Sequence, residues 1–212
     1  MAILIALSAG FTDGFTFFHY AGRFAGAQTG NIIQAGISLA EGKIWNSLDF
    51  FIPIGFFILG AMFRVFYAAY LTKHHHFVTL YMLVIELIGL TAFVCLYATV
   101  WKIPASYSVG ILSFFMAIQF DTFNHVHGMA YTSVFTTGNI KVFSVNLAQW
   151  MLGRKKENLR AVKILGSIIP AFLIGAFFAT LLGKLMGDWT LIVTCILLFI
   201  VFIIYRVDGY ED

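Results

Sequence analysis

Apolar residues run along this chain in long continuous blocks, and polar residues gather in short stretches between them. The blocks do not alternate with a period of two, as the strands of a membrane barrel would. Many approach twenty residues, the length a helix needs to cross a hydrocarbon core of about 30 Å. Six such blocks predict six membrane-spanning helices, over 1–22, 47–72, 77–100, 103–126, 161–184 and 189–205. Two shorter helical stretches, 31–42 and 139–150, would reach only about 18 Å and cannot cross. Re-entrant half-helices and interfacial helices both fit them. The four tryptophans, Trp45, Trp101, Trp150 and Trp189, fall at or just outside span ends, where an amphipathic ring prefers the membrane interface.

Composition agrees with this reading. The chain is 60% hydrophobic and 11% charged, with 3 prolines, whereas soluble domains average about 25% charged residues. It is expected to be a single membrane domain, 1–212, with the lipid bilayer as its main partner. The first block has no positive charge ahead of it and no clear cleavage pattern, so it reads as a span and not as a removed signal peptide. The net charge of +3 says little in a membrane chain, and no nucleic-acid partner is expected. The placement of charge says more. Lys141, Arg154, Lys155, Lys156, Arg160 and Lys163 cluster after the fourth span, which assigns that connection to the cytoplasm. With six spans, both termini and the loop of Lys73 and His74–His76 fall on the same side. Cys95 and Cys195 lie inside apolar blocks and outside any CxxC pair. They read as packed thiols, with a disulfide as the minority alternative.

The chain repeats itself. At a spacing of 108 positions Asp13 is echoed by Asp121, Phe15 by Phe123, His19 by His127, and Thr29-Gly30-Asn31-Ile32 by Thr137-Gly138-Asn139-Ile140. Leu39-Ala40 matches Leu147-Ala148; farther on the spacing becomes 115, so that Gly60-Ala61 aligns with Gly175-Ala176. Each half, 1–100 and 103–206, is then a span, a Thr-Gly-Asn element and two more spans. Two copies of a three-span unit insert with opposite orientations. The expected fold is therefore all-α, with six transmembrane helices as two inverted three-helix repeats, each carrying a short Thr-Gly-Asn half-helix. If the short helices crossed instead, there would be eight spans and parallel repeats.

The repeat also points to candidate chemistry. A carboxylate inside a span is costly and faces a cavity or a partner. Asp13 and Asp121 each precede a histidine by six positions, about 120° away around a helix. If the two spans face each other, Asp13, His19, Asp121 and His127 converge, with His125 nearby. Such a group can relay protons, bind an ion or a metal, or hold the halves in register. Thr29-Gly30-Asn31 and Thr137-Gly138-Asn139 can cap helix starts, with Gly letting backbones approach. Free N–H groups there would suit an anionic group; simple capping is the alternative. Gln28 precedes one motif and Thr136 the other, so the two sites would differ. Glu86 and Arg64 are isolated charges in apolar blocks, with pairing to each other or to another polar residue as the bland reading and a gate or coupling site as the sharp one. Gly175 and Ala179 form a small-residue stripe suited to helix packing, and the three histidines 74–76 read as a solvated turn with metal binding as the alternative. No hydrolase, kinase, P-loop or redox motif is present, so no enzyme activity, cofactor or resident metal is expected.

"AGFTDGFTFFHYAGRFAGAQTGNIIQAGISLA" and, half a chain later, "AIQFDTFNHVHGMAYTSVFTTGNIKV" together resemble the YoaK-like family of bacterial inner-membrane proteins, a domain of unknown function. The most specific pieces are Gly10 to Asp13, the first Thr-Gly-Asn, Gln119 and the second Thr-Gly-Asn. The resemblance implies about six spans and a bacterial plasma membrane, and no substrate. The residues themselves favour a small-molecule or ion transporter whose site lies between the halves, lined by Asp13, Gln28, Thr29, Gly30, Asn31, Gln119, Asp121, Thr137, Gly138 and Asn139. Asp13, His19, Asp121 and His127 are the proton-coupling candidates. A non-transporting scaffold or sensor, with the basic loop 154–160 against anionic lipid or a partner, is the alternative; an intramembrane metal enzyme is a third. A homodimer is a further expectation, from the small number of spans.

Overall fold

The computed structural model describes residues 1–100, 103–126 and 128–208, excluding the side chain of residue 208. It is helical almost throughout. Helix α1 covers Ala2–His19, α2 Gln28–Ala40, α3 Ile44–Lys73, α4 Val78–Thr99 and α5 Ala105–Thr122. A two-residue hairpin, His125–Val126 with Met129–Ala130, leads to α6 over Thr137–Gly153. Helix α7 covers Lys156–Met186, a 3-10 turn Gly187–Leu191 follows, and α8 covers Ile192–Asp208. The six expected spans correspond to α1, α3, α4, α5, α7 and α8, with ends shifted by a few residues. Among the described residues, four helical stretches are long and apolar enough to cross a membrane: α1, α3, α4, and Lys156–Val207, which contains both α7 and α8. Helix α5 falls outside that set; Ser106, Ser108, Ser113, Gln119 and Asp121 dilute its apolar content.

Gly42 and Gly187 adopt positive φ, 73° and 55°, where the chain leaves α2 and α7. A side chain would be strained at either position. Trp45 is exposed in the first turn of α3, Trp150 sits in the last turns of α6, and Trp189 lies in the 3-10 turn. Trp101 lies outside the described residues.

The main packing is between helices far apart in sequence. Helix α1 lies along α7, and α5 lies along α3. Small residues permit both approaches. Gly10 faces the Phe172 backbone, and a Cβ on Gly14 would sit 2.7 Å from the Ala176 Cα. Gly175 faces the backbone of Leu7 and Phe11, and Ala179 is buried beside it. The small-residue stripe thus serves packing, as expected of helices that gain little from apolar burial in lipid. In the second pair Gly60 faces the Phe114 backbone, and a Cβ on Gly110 would lie 2.9 Å from the Phe56 ring. Residue numbers rise together along both pairs, so each pair is parallel. Met1–Ile3, Val126 and Ile164 share one end of the molecule, where they line a common shallow cavity; His19 and Gly183 meet at the other.

Cys195 is buried but Cys95 is exposed, and both are free thiols. The expectation of two packed thiols therefore holds for Cys195 alone. Cys95 faces outward from α4, where lipid rather than protein would cover it.

Candidate functional site

The segment 20–27 turns back along α1 after His19 and brings Gly26 and Ala27 beside Asp13. Asp13 is only 3% exposed. Its Oδ1 accepts the Gly26 N–H at 2.6 Å and its Oδ2 accepts the Ala27 N–H at 3.1 Å. The Thr16 hydroxyl accepts the Ala25 N–H at 3.3 Å. A carboxylate of the chain itself therefore occupies the donors ahead of α2. That end of the site is not an empty anion pocket.

The Thr-Gly-Asn motifs do not stand ahead of their helices. Helix α2 begins at Gln28 and α6 at Thr137, so each motif forms part of a first turn, earlier than expected, and neither helix has a side-chain cap hydrogen bond. Asn31 has a different task. Its Nδ2 donates to the Phe24 carbonyl at 2.7 Å, and its Oδ1 accepts the Phe24 N–H at 2.9 Å. Asn139 does the same to Thr132, at 2.7 and 2.8 Å. Each amide replaces a missing strand partner for a residue seven positions earlier. Both asparagines are buried, where an unmet peptide group is expensive. The glycine completes the device. A Cβ on Gly30 would lie 2.6 Å from the Phe24 ring, and one on Gly138 would lie 3.2 Å from Thr132. Thr-Gly-Asn thus lets a returning loop lie over the helix and clamps it there.

The remaining candidates separate into several environments. Gln28 donates to the Ala25 carbonyl at 2.7 Å and to the Ser113 hydroxyl at 3.3 Å, and its Oε1 accepts from Asn31 at 2.7 Å. Gln119 is fully buried and donates to the Ile5 carbonyl at 3.4 Å. Asp121 does not join Asp13. It pairs with Arg64 at 2.9 Å and is about one-third exposed. The expected convergence of the two acids fails because Arg64, on α3 beside the end of α5, captures the second. The same pair leaves Glu86 without Arg64. His19 stacks on Phe15 at 4.4 Å, with its Nε2 packed against Gly183. His125 is exposed and bonds Asn124 at 2.6 Å. His127 lies outside the described residues. His74, His75 and His76 form an exposed turn, and among the described residues no three His, Cys, Asp or Glu side chains gather as a metal site.

Two cavities bring the repeat elements together. One, of about 660 Å³, is lined by Asp13, Phe24, Ala27, Phe135, Thr137 and Thr180, among others. The other, of about 440 Å³, is lined by Gln28, Thr29, Phe57, Phe120, Phe135 and Thr137, with Ala27. Ala27, Phe135 and Thr137 belong to both, so the two spaces adjoin at the starts of α2 and α6. Gln119, Asp121 and His19 line neither.

Arg23 stands outside the repeat motifs and the apolar blocks that mark the other candidates. It is 5% exposed, donates to Asp49 at 2.8 Å and to the Tyr20 carbonyl at 3.1 Å, and lies over the Phe50 ring at 5.0 Å. It fastens the first loop to α3. Its signal in the sequence is a lone arginine in a Gly/Ala-rich stretch. In the second loop Tyr131 takes the matching position and is buried, which pushes its phenol above the ordinary range.

A family model described as "Protein of unknown function (DUF1275)" matches residues 1–204. The chain belongs to this family. The match agrees with the resemblance carried by the two Thr-Gly-Asn segments, and it brings no activity with it. No curated protein and no solved structure matches the chain.

Proposed function

We propose that this protein is a small-solute transporter of a bacterial inner membrane, with its site between two inverted halves. The pair of adjoining cavities at the starts of α2 and α6 carries this reading, because each half contributes a Thr-Gly-Asn threonine to the same space. Inversion is supported by contacts between counterparts. Helix α1 packs on α7 while its echo α5 packs on α3, the echo of α7. The start of α1 meets the end of α5, through Ile5 and Gln119, as antiparallel counterparts would. Loops at membrane depth are tolerated where protein covers them, and both loops here are clamped by an asparagine.

The lining selects the solute class. Phenylalanine rings, threonine hydroxyls and the Asp13 carboxylate surround the space, with no exposed cation among the residues that line it. A neutral or cationic solute with an apolar body fits better than an anion. The exposed cations Lys141, Arg154, Lys155, Lys156 and Arg160 support a cytoplasmic side for the end that holds the α6–α7 connection and for both termini. They are also what a scaffold that binds anionic lipid would use.

Solute exchange in proteoliposomes tests the proposal, with a panel of small neutral and cationic amphiphiles. The wild type exchanges at least one. Thr137→Trp, which fills the shared space, abolishes that exchange and leaves a folded protein. Exchange unaffected by the indole, or no exchange of any panel member, counts against transport and favours the scaffold.

A further inference from the structure

Glu86 is the buried acid that the site does not use. It lies on α4, 1% exposed, and neither carboxyl oxygen has a hydrogen-bond partner among the described residues. Its neighbours along the helix face, Met82, Leu83 and Leu90, are buried in apolar clusters. Those clusters contain Leu112, Met116 and Ile118 of α5 and Cys195, Leu198 and Val201 of α8. The other acids of the spans are committed. Asp13 holds two backbone N–H groups, Asp121 holds Arg64, and Asp49 holds Arg23.

An ionised carboxylate with no partner in an apolar interior costs far more than a neutral acid. An ionisable side chain inside a span with no partner therefore points to a functional role. We infer that Glu86 is a proton-binding site, a neutral carboxylic acid sealed between α4, α5 and α8 that exchanges its proton when these helices part. It deepens the transport reading by naming the coupling ion, and to that extent rests on it.

The titratable groups on the packed elements leave this role open to Glu86. On α8 Cys195 belongs to the apolar cluster that holds Leu83 and Leu90, while Tyr205 and Arg206 lie at the helix end. Asp188 lies in the first turn of the 3-10 segment that precedes α8. On α3 and α5, Arg64 and Asp121 neutralise each other, and Tyr107 is exposed.

The experiment compares the wild type with Glu86→Gln, which keeps shape and removes the exchangeable proton, and with Glu86→Asp, which keeps the acid. Infrared spectra of the protein in liposomes at neutral pH should show the C=O stretch of a neutral carboxylic acid. That band is lost in Glu86→Gln and returns, shifted, in Glu86→Asp. Solute uptake driven by an imposed proton gradient should fall in Glu86→Gln to simple equilibration, while solute exchange persists. An unchanged acid band overturns the inference, and so does gradient-driven accumulation that survives in Glu86→Gln. If the wild type exchanges no solute at all, the transport reading fails by itself and the infrared result alone decides the proton site.

Discussion

Gly26 packs against Val134, its own counterpart in the second copy of the repeat. A Cβ on Gly26 would meet the Val134 side chain, lie 3.0 Å from the Met116 Cε and lie 3.1 Å from the Asp13 Oδ2. Contact between equivalent positions is what the proposed inverted arrangement requires near its axis. The two loops therefore meet at the centre of the molecule, beside the cavities.

That contact makes a coupled prediction. Gly26→Leu wedges the loops apart and destabilises the protein by about 1–3 kcal/mol, the usual cost of overpacking. Val134→Ala restores space at the same point. In a double-mutant cycle read by thermal unfolding in detergent, the pair should be less destabilised than the sum of the single changes.

The asparagine clamps predict unequal losses. Asn31→Ala and Asn139→Ala each remove two hydrogen bonds to a loop peptide, for about 1–3 kcal/mol apiece. Asn31 also donates to Gln28, and Asn139 has Thr136 at the matching position, with no such bond among the described residues. Asn31→Ala should therefore be the more damaging, in unfolding midpoint and in proteolysis of the segment 20–27.

Much of this architecture is written in patterns that survive projection onto one dimension. Apolar blocks mark helices because burial or lipid demands continuous apolar length. The echo at 108 positions marks the duplication because Asp, Gly and Asn are conspicuous in apolar sequence. The roles of those residues are not written there. Asn31 looks like a helix cap until the loop is seen to return over Gly30, and that path depends on Asp13, thirteen or more residues upstream of its loop partners. Asp121 matches Asp13 in sequence, yet Arg64 on another helix decides its fate. Val134 stands where Gly26 stands, and Tyr131 where Arg23 stands, so the copies share a frame and differ in what they hold. Arg23 and Asp49 belong to different elements with no local signature, and only the fold pairs them.

The Arg23–Asp49 pair should behave asymmetrically. Asp49 is 45% exposed while Arg23 is buried, so Asp49→Asn costs only about 0.2–1 kcal/mol after solvent screening. Arg23→Ala costs more, because it also removes the Tyr20 carbonyl contact and the Phe50 stacking. Arg23→Lys should not restore stability, since a single ammonium cannot reproduce the two-nitrogen bridge to Asp49 and Tyr20. Unfolding midpoints at low and high salt separate the ionic part from the packing part.

The central claim, that the two copies sit upside down relative to each other, is most directly tested by sidedness of labelling. Cys95 and Cys195 are replaced by serine, and a single cysteine is placed at Glu41, the exposed residue that ends α2, or at Gly153, at the end of α6. Intact spheroplasts are then treated with a membrane-impermeant thiol reagent. The account predicts that Glu41→Cys is labelled from outside and Gly153→Cys only after the membrane is opened. Labelling of both from the same side would contradict it.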